Sequence, residues 1–527
     1  MPSVDRYHHL PMLFTLLALA LSVRPTTAHN APAVECSALK SPTIEGAEVI
    51  DFTAQLSNDF GLALCNVNVH LRHNGANDSV RIQTLLPIET FNGRYLGVGG
   101  GGLIAGWFDD YLASQVGDGF AVASTDAGLD LPALPTLPPE AIPQLLTNFA
   151  YLSVHEMTVV SKELIEQFYG EAAAHSYWAG CSMGGRQGLI EAQRYPGDYD
   201  GILSSSPVAD WPRFTVASLW PYLVQVREEA FPEPCVWDGI TKAAIAACDD
   251  LDGVSDHLIS NPLACDFDAL DLVGETVCTD TTVTETMAKL WNEVTAGPIG
   301  PDGSRAWYGF PPGTDLTVAT TAETFDNTNK WTAFMVERVG FALNEHTIPA
   351  DKLYERIDLA NQLYGRAFAT DEVSLKHFKE AGGKMIIWHG MTDSIVQPQD
   401  ILAYRQRVED DLISRTAGTE PFAWQDADPV QEVLHNPHDG ASTDKQSSLH
   451  DFFRLFTAPG VEHCRGGTGA VPMNALGQLI KWVEEGVAPE TLAASGEVGE
   501  RELCLWPETL RYRGEGDLKK ASSWVCV

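Results

Sequence analysis

Residues 175–188 read HSYWAGCSMGGRQG, and this stretch decides the fold. Its first five residues predict a short buried strand, and a helix is expected over residues 186–194. Between them, residues 180–184 fit the pattern G-x-S-x-G, in which a strand turns sharply into a helix and exposes the serine. A tight structural turn explains the pentapeptide equally simply, so the hypothesis that Ser182 is a nucleophile depends on its context.

Strands and helices alternate on both sides of this stretch. The predicted strands and apolar segments are residues 80–86, 95–98, 119–124, 384–388 and 452–456, and the predicted helices are residues 154–168, 375–380 and 478–485. Alternation of this kind indicates an α/β protein with a mostly parallel sheet.

The region from residue 210 to residue 370 has a different character. It holds four of the ten cysteines, an Asp-rich loop and many Thr, Pro and Gly residues. We interpret it as an inserted lid domain, so that residues 29–209 and 371–527 form the catalytic domain. A chain of 527 residues exceeds the size at which a single core stops growing, which agrees with two domains. Residues 409–449 are polar and predict a long surface loop.

The chain is strongly acidic, with a formal net charge of −37. Nucleic-acid partners need a basic face, and anionic membrane surfaces attract basic segments, so the charge argues against both as partners. A neutral or aromatic substrate is compatible with an acidic protein. The simplest interpretation of the charge is solubility in an acidic extracellular medium.

The N-terminal residues predict export. Arg6 precedes an apolar run over residues 10–23 that is too short to span a bilayer, and small residues up to Ala28 allow cleavage there. We therefore expect residues 1–28 to be a signal peptide, with a membrane anchor as the alternative. All ten cysteines follow this segment, which predicts up to five disulfides in a secreted, extracellular protein. Asn77 begins a glycosylation sequon.

A serine hydroxyl needs a base, and the base needs an orienting carboxylate. In folds built around this turn the order along the chain is serine, acid, histidine. Asp393 follows the predicted strand at residues 384–388, and His463 lies in a Gly/Pro turn after an apolar segment. Taken singly, Asp393 could be a turn former and His463 a surface histidine, but order and context favour a triad.

Two cysteines strengthen this hypothesis. Cys181 directly precedes Ser182, and Cys464 directly follows His463. A disulfide between them would place the nucleophile beside the base and close a long loop, for which chain entropy gives ~4–5 kcal/mol. A redox pair, or pairing with other cysteines, are the alternatives.

These residues resemble the CS-D-HC arrangement of the tannase and feruloyl esterase family. The resemblance runs from Cys36 to the C terminus and implies an α/β-hydrolase fold with an inserted, calcium-binding lid domain. It also implies hydrolysis of carboxylic esters, often those of phenolic acids. The matching stretches are residues 92–96, 180–188, 194–201, 382–384, 482–486 and 514–517.

An oxyanion hole is expected beside the nucleophile. One donor should be the backbone N–H of Met183, the residue after Ser182, and the second should come from a glycine loop. Residues 99–102 are four glycines, and we choose Gly101 among them. A plain glycine-rich turn is the alternative interpretation of this run.

Residues 248–258 read CDDLDGVSDHL and concentrate carboxylates around a glycine. Calcium takes six to eight oxygen ligands, which such loops supply. The spacing is not that of an EF-hand, because position twelve from Asp249 is Ser260. A solvated acidic turn is the alternative, whereas the resemblance implies a structural calcium site. Its ligands would be the side chains of Asp249, Asp252 and Asp256 and the carbonyls of Val254 and Leu258.

The resemblance also suggests how the other cysteines pair. A Cys248–Cys265 disulfide would brace the acidic loop, and sequence alone leaves the connectivity open. The remaining suggested pairs are Cys36–Cys65, Cys235–Cys278 and Cys504–Cys526.

The resulting hypothesis is a serine esterase whose substrates are small-molecule or polysaccharide-linked phenolic esters. Feruloyl or other cinnamoyl esters come first, galloyl esters, as in a tannase, come second, and other aromatic esters follow. The alternative of another class is a catalytically silent phenolic- or glycan-binding protein, against which the intact Ser182, Asp393 and His463 argue. The sequence leaves the oligomeric state open, with a homodimer as one option.

The chain departs from the family pattern in ways that affect substrate choice. Leu129 follows Thr-Asp-x-Gly, where many relatives carry a histidine. Trp331, Phe334 and Arg338 of the lid are candidates to line a phenolic pocket, with simple packing as the alternative.

Overall fold

The computed structural model describes residues 31–58, 61–129, 141–337, 348–417 and 448–527. The predicted signal peptide, Arg338 and residues 418–447 of the predicted loop lie outside these ranges. Within them, no helix is both long enough and apolar enough to cross a membrane.

The strands follow the short apolar runs of the sequence. They are β1 (Ala47–Ser57), β2 (Leu64–His73), β3 (Val80–Pro87), β4 (Arg94–Val98), β5 (Ala121–Thr125), β6 (His175–Cys181), β7 (Gly201–Ser205), β8 (Thr276–Cys278), β9 (Thr281–Thr282), β10 (Lys384–Gly390), β11 (Phe453–Ala458), β12 (Ala470–Pro472), β13 (Thr491–Gly496), β14 (Gly499–Cys504), β15 (Leu510–Tyr512) and β16 (Trp524–Cys526).

The helices lie between the strands and within the predicted insertion. In the described ranges they are α1 (Asp110–Val116), α2 (Ile142–Thr147), α3 (Ser153–Tyr169), α4 (Met183–Arg194), α5 (Trp211–Ala217), α6 (Trp220–Arg227), α7 (Pro234–Cys248), α8 (Glu285–Ala296), α9 (Ala322–Trp331), α10 (Leu353–Phe368), α11 (Lys376–Glu380), α12 (Gln399–Ala417) and α13 (Ala475–Glu485).

A nine-stranded mixed sheet forms the centre of the molecule, in the order β1-β2-β3-β5-β4-β6-β7-β10-β11. The first four strands pair antiparallel, and every pairing from β5 onwards is parallel. The parallel strands are mostly apolar and buried, as strands covered on both faces are. The α/β class and the mostly parallel sheet predicted from the sequence are confirmed.

The parallel strands end level with one another. Cys181 of β6 lies opposite Ser205 of β7, which lies opposite Trp388 of β10. Gly390 of β10 lies opposite Ala458 of β11. The loops that follow β4, β6, β10 and β11 therefore emerge at one edge of the sheet, which is where α/β proteins bind ligands.

The predicted insertion has a hydrophobic core of its own. One buried cluster is formed entirely by residues between 216 and 360 and includes Trp237 and Trp291. At the start and end of the insertion, the N–H of Thr370 donates to the carbonyl of Ala209 at 2.7 Å. This separate core agrees with an inserted domain at residues 210–370, whose boundaries stay a prediction.

Two local expectations were wrong. Residues 409–417, expected in a loop, continue α12, because charged side chains one turn apart pair along it: Arg405 with Glu409 at 2.5 Å and Arg415 with Asp411 at 2.6 Å. Polar composition alone had suggested a loop. The strand predicted to end at residue 388 continues to Gly390, so that His389 lies inside β10.

Candidate active site

Ser182 lies in the turn between β6 and α4 with φ 61° and ψ −119°. A positive φ is uncommon for a residue with a side chain and marks strain that the surroundings must hold. The glycines explain the turn: a Cβ at position 180 would lie 2.4 Å from the carbonyl carbon of Gly184, and one at position 185 would lie 2.6 Å from the carbonyl oxygen of Ser205. Only glycine permits these approaches.

Asp393 and His463 meet beside this turn. Nδ1 of His463 lies 2.7 Å from Oδ2 of Asp393, and the two residues follow β10 and β11. Asp393 is fully buried, whereas the side chain of His463 is 15% exposed. A carboxylate behind one nitrogen of a partly exposed imidazole holds the ring and leaves its other nitrogen free to exchange a proton.

The carboxylate of Asp393 is stabilised in its charged form. Burial by itself would raise its pKa, but the charge of His463 and hydrogen bonds from His389 and His463 outweigh burial, so the pKa lies well below its usual range. The N–H groups of Ile395 and Val396 also donate to Oδ1, each at 2.9 Å. Asp393 is therefore an ionised acceptor at every pH at which the protein is expected to work.

A disulfide joins the two loops. Cys181 and Cys464 are bonded, with their Cα atoms 6.0 Å apart. Because Ser182 and His463 are their neighbours in sequence, the serine and the imidazole lie in adjoining turns. The predicted pairing of all ten cysteines is confirmed, since the other four disulfides are Cys36–Cys65, Cys235–Cys278, Cys248–Cys265 and Cys504–Cys526.

The glycine run after β4 packs directly on the start of α4. A Cβ on Gly99 would lie 2.5 Å from the Cα of Gly184, and the N–H of Gly184 donates to the carbonyl of Gly100 at 3.0 Å. The choice of Gly101 as a donor was wrong, because its N–H already donates to the carbonyl of Ile104 at 3.0 Å. Met183 begins α4, where an N–H has no partner within the helix, so its expected role stays open.

Met183 belongs to a buried apolar cluster. The cluster brings together side chains of the catalytic part and of the insertion, including Trp211, Phe368 and Trp331. Trp331 is only 1% exposed and packs edge to face on Trp211 with ring centroids 4.3 Å apart. Packing is thus the correct interpretation of Trp331, while Phe334 is partly buried against the same cluster.

Comparison with known proteins now decides the family. A family model described as tannase and feruloyl esterase matches residues 65–527. A probable feruloyl esterase of Arthroderma benhamiae is 33% identical over 98% of both chains. The chain belongs to the tannase and feruloyl esterase family. As a member of it, the protein is a carboxylic ester hydrolase. Feruloyl esterase B of Aspergillus niger is 28% identical over 92% of this chain and 89% of that protein.

Solved structures of the family have the same fold. Tannin acyl hydrolase from Aspergillus niger superposes with a TM-score of 0.77 at 24% identity, covering 93% of both chains. Feruloyl esterase B from Aspergillus oryzae gives 0.77 at 24% identity, covering 93% of this chain and 99% of that one. At this identity the likeness establishes the mixed α/β fold and leaves substrate choice open.

The acidic loop, residues 248–258, folds around Asp249. Its carboxylate accepts the N–H groups of Asp256, His257 and Leu258 at 2.9, 2.9 and 3.2 Å. Asp252 accepts from the N–H of Val254 at 3.1 Å. Across the described ranges, no three acidic, histidine or cysteine side chains converge as a ready-made metal site.

Two further polar residues of the site went unnoticed in the sequence. His389 contacts Asp393, and its spacing of four residues from that aspartate was the available signal. Arg186 is completely buried and donates to the carbonyls of Ala150 and Phe368 at 3.0 and 2.9 Å. Burial lowers the pKa of Arg186 to about 9. No sequence signal predicts a buried guanidinium without an acidic partner.

Proposed function

We propose that this family member is a secreted serine esterase on an α/β-hydrolase fold, acting on phenolic-acid esters through an acyl-enzyme. The observation that supports the proposal most is the Cys181–Cys464 disulfide, which joins the residue before the strained Ser182 to the residue after His463. The hydrogen bond from His463 to Asp393 completes the order of serine, base and orienting acid. No metal or redox group is required for this chemistry.

Each step has a residue to perform it. Oγ of Ser182 attacks the ester carbonyl carbon while His463 takes its proton, and the N–H of Met183 at the start of α4 stabilises the oxyanion. His463 then protonates the departing alcohol oxygen as the carbon–oxygen bond breaks. Water attacks the acyl-enzyme with His463 as base, releasing the acid and restoring Ser182. Asp393 holds the imidazole throughout and stabilises its charged form.

Feruloyl or other cinnamoyl esters are the proposed substrates, free or linked to polysaccharide. The names of the similar relatives support them. A net charge of −37 agrees with uncharged esters rather than acidic ones. Galloyl esters are the second candidate, since a tannin acyl hydrolase shares the fold.

A structural calcium ion in the acidic loop is also proposed. Oδ1 of Asp256 is buried with no hydrogen-bond partner among the described residues. Burial and the charge of Asp252 raise the pKa of Asp256 to about 6, and burial raises the pKa of Asp252. Arg501 lies 3.4 Å from Oδ2 of Asp256, but the three carboxylates of the loop outnumber this one guanidinium, which suits a cation site. The ligands would be Asp249, Asp252, Asp256 and the carbonyls of Val254 and Leu258.

Secretion is supported by the cysteines. All ten are paired in disulfides, which persist in oxidising compartments and are rare in the cytosol. Asn77 lies exposed between β2 and β3, where a glycan would not disturb the core. Glycosylation at Asn77 is part of the proposal.

The test is hydrolysis of methyl ferulate, methyl gallate and 4-nitrophenyl acetate by the purified protein and its Ser182→Ala variant. Ser495→Ala, on the exposed end of β13, is the matched control. We expect turnover by the wild type and the control, fastest on methyl ferulate, and at least a thousandfold loss in Ser182→Ala. Binding of ferulate without any turnover would support the silent binding protein instead, and unchanged turnover in Ser182→Ala would contradict the serine mechanism.

A further inference from the structure

Asp393 is contacted by a second histidine. His389, in β10, is fully buried, and its Nε2 lies 3.2 Å from Oδ2 of Asp393. The same nitrogen lies 3.1 Å from the carbonyl oxygen of Val396. We propose that His389 is a positioning residue for ester hydrolysis, which fixes the carboxylate of Asp393 in the orientation that His463 requires. The inference rests on the proposed function.

Nitrogen atoms surround both oxygens of the Asp393 carboxylate. A carboxylate offers about four acceptor positions. The N–H groups of Ile395 and Val396 occupy those of Oδ1, at 2.9 Å each, while His463 and His389 both approach Oδ2. The donors come from the loop after β10, from β10 itself and from the turn after β11. Rotation of the carboxylate would break several of these bonds at once, so its plane is fixed.

The surroundings of His389 decide which ring nitrogen donates. Both atoms within reach of Nε2, the carboxylate of Asp393 and the carbonyl of Val396, are acceptors, so the proton of a neutral ring lies on Nε2. Nδ1 is buried without a partner in the part of the chain that the structure describes. The ring thus bridges Val396 and Asp393, while the N–H of Val396 binds the other oxygen of the same carboxylate. His389 therefore couples the conformation of the loop after β10 to the orientation of the Asp393 carboxylate.

Two effects of removing this donor oppose each other. Without His389, Oδ2 of Asp393 would be a stronger acceptor for His463, which favours catalysis. However, Asp393 has no access to water, so the vacated position would stay unsatisfied and the carboxylate would turn to recover a donor. Because small misplacements of catalytic groups cost large factors in rate, we expect the loss of alignment to dominate.

Steady-state kinetics distinguish a positioning role of His389 from a purely structural one. Asp393 lies behind His463, so a misaligned carboxylate should lower kcat and leave KM unchanged. His389→Met removes the donor at similar size, and His389→Gln keeps an N–H near the position of Nε2. With 4-nitrophenyl acetate, we expect His389→Met to lose about 10- to 100-fold in kcat with KM within about twofold, and His389→Gln to stay within about threefold of wild type.

The inference would be overturned by wild-type kcat in His389→Met, whatever its thermal midpoint, or by equal losses in the Met and Gln variants. Should His389→Met fail to fold, His389→Asn replaces it, because its shorter amide does not reach Oδ2. The expected loss for His389→Asn is the same.

A double-mutant cycle tests whether His389 acts through Asp393. In an Asp393→Asn background, His389→Met should cost less than about threefold, since the carboxylate it positions is gone. A full, additive loss would contradict the inference. Ser182→Ala separates the two levels: activity remaining in that variant refutes the proposed function, whereas an inactive Ser182→Ala beside a fully active His389→Met refutes only the role of His389.

Discussion

Two carboxylates of this protein are held in opposite ways. Asp393 accepts three N–H groups and is contacted by Nε2 of His389 at 3.2 Å, and its pKa lies well below the usual range because His463 and His389 outweigh burial. Asp256 has one oxygen without a partner among the described residues, and burial with the charge of Asp252 raises its pKa to about 6. The first is surrounded by N–H donors of the protein and suits proton transfer, whereas the second keeps an unsatisfied Oδ1 although Arg501 lies 3.4 Å from its Oδ2.

The largest effect is expected from replacing the carboxylate of Asp393. Asp393→Asn should lower kcat about 10⁴-fold with the fold intact, because an amide no longer holds His463 in the working tautomer. Steady-state kinetics on a 4-nitrophenyl ester measure this loss. The matched change Asp256→Asn should keep kcat within about twofold at 20 °C, and a comparable loss there would erase the distinction between the two carboxylates.

Removing one disulfide at a time compares the part of the chain around Ser182 with the acidic loop, in both kcat and stability. Replacing Cys181 and Cys464 with serine should lower kcat about 10- to 100-fold, because the serine and the base lose their link. Loop closure predicts a loss of stability of ~4–5 kcal/mol for this pair and ~3 kcal/mol for Cys248–Cys265. The second pair braces only the acidic loop, so its removal should leave kcat unchanged. Equal kinetic losses from both pairs would show a general rather than a local effect.

Calcium removal tests the role of Asp256 and the acidic loop. Chelation should lower the thermal midpoint by about 2–5 °C, because a ligand bound only to the folded state stabilises it by mass action. The kcat measured well below the midpoint should not change. Differential scanning calorimetry with added Ca²⁺ or Mg²⁺ identifies the ion, and a midpoint insensitive to both would contradict the calcium site.

The smallest effect concerns His73, a buried histidine that lies between the carboxylates of Asp78 and Glu156. Nδ1 and Nε2 of His73 lie 2.5 and 2.9 Å from Asp78 and Glu156. Burial alone would lower the pKa of His73, but hydrogen bonds and charges of Glu156 and Asp78 raise it to about 9. A raised pKa gives stability that is complete below about pH 6.5 and is lost as pH rises through about 9.

The thermal midpoint of the wild type should therefore fall about 1–3 °C further between pH 7 and pH 10 than that of His73→Gln. Other alkaline titrations occur in both proteins and cancel in the difference. Parallel curves for the two proteins would show that His73 carries no charge in the folded state.

The sequence was informative wherever a residue's neighbours in the chain set its geometry. The glycines around Ser182 are required because an added Cβ would lie 2.4 to 2.6 Å from neighbouring backbone atoms. The Cys-Ser and His-Cys dipeptides predicted the Cys181–Cys464 disulfide. The sequence failed where the detailed geometry of a turn, or contacts between distant segments, decide. The N–H of Gly101 is occupied by Ile104, a fact of turn geometry that a run of four glycines does not reveal.

Two other features also depend on tertiary contacts. The role of His389 follows from β10 extending two residues beyond the predicted strand, which turns its side chain towards Asp393. Arg186 can be buried because carbonyls of Ala150 and Phe368 converge on it from distant parts of the chain. The sequence shows only the four-residue spacing of His389 and Asp393, and nothing in it marks Arg186 as buried.

The most direct test of the central claim is to find the covalent intermediate. The protein is mixed with a 4-nitrophenyl ester or a fluorophosphonate, quenched in acid, digested and examined by mass spectrometry. We predict one adduct, on Ser182, at about one equivalent per chain, and none in Ser182→Ala. Labelling of a different residue, or hydrolysis that continues in Ser182→Ala with no adduct at all, would contradict the account.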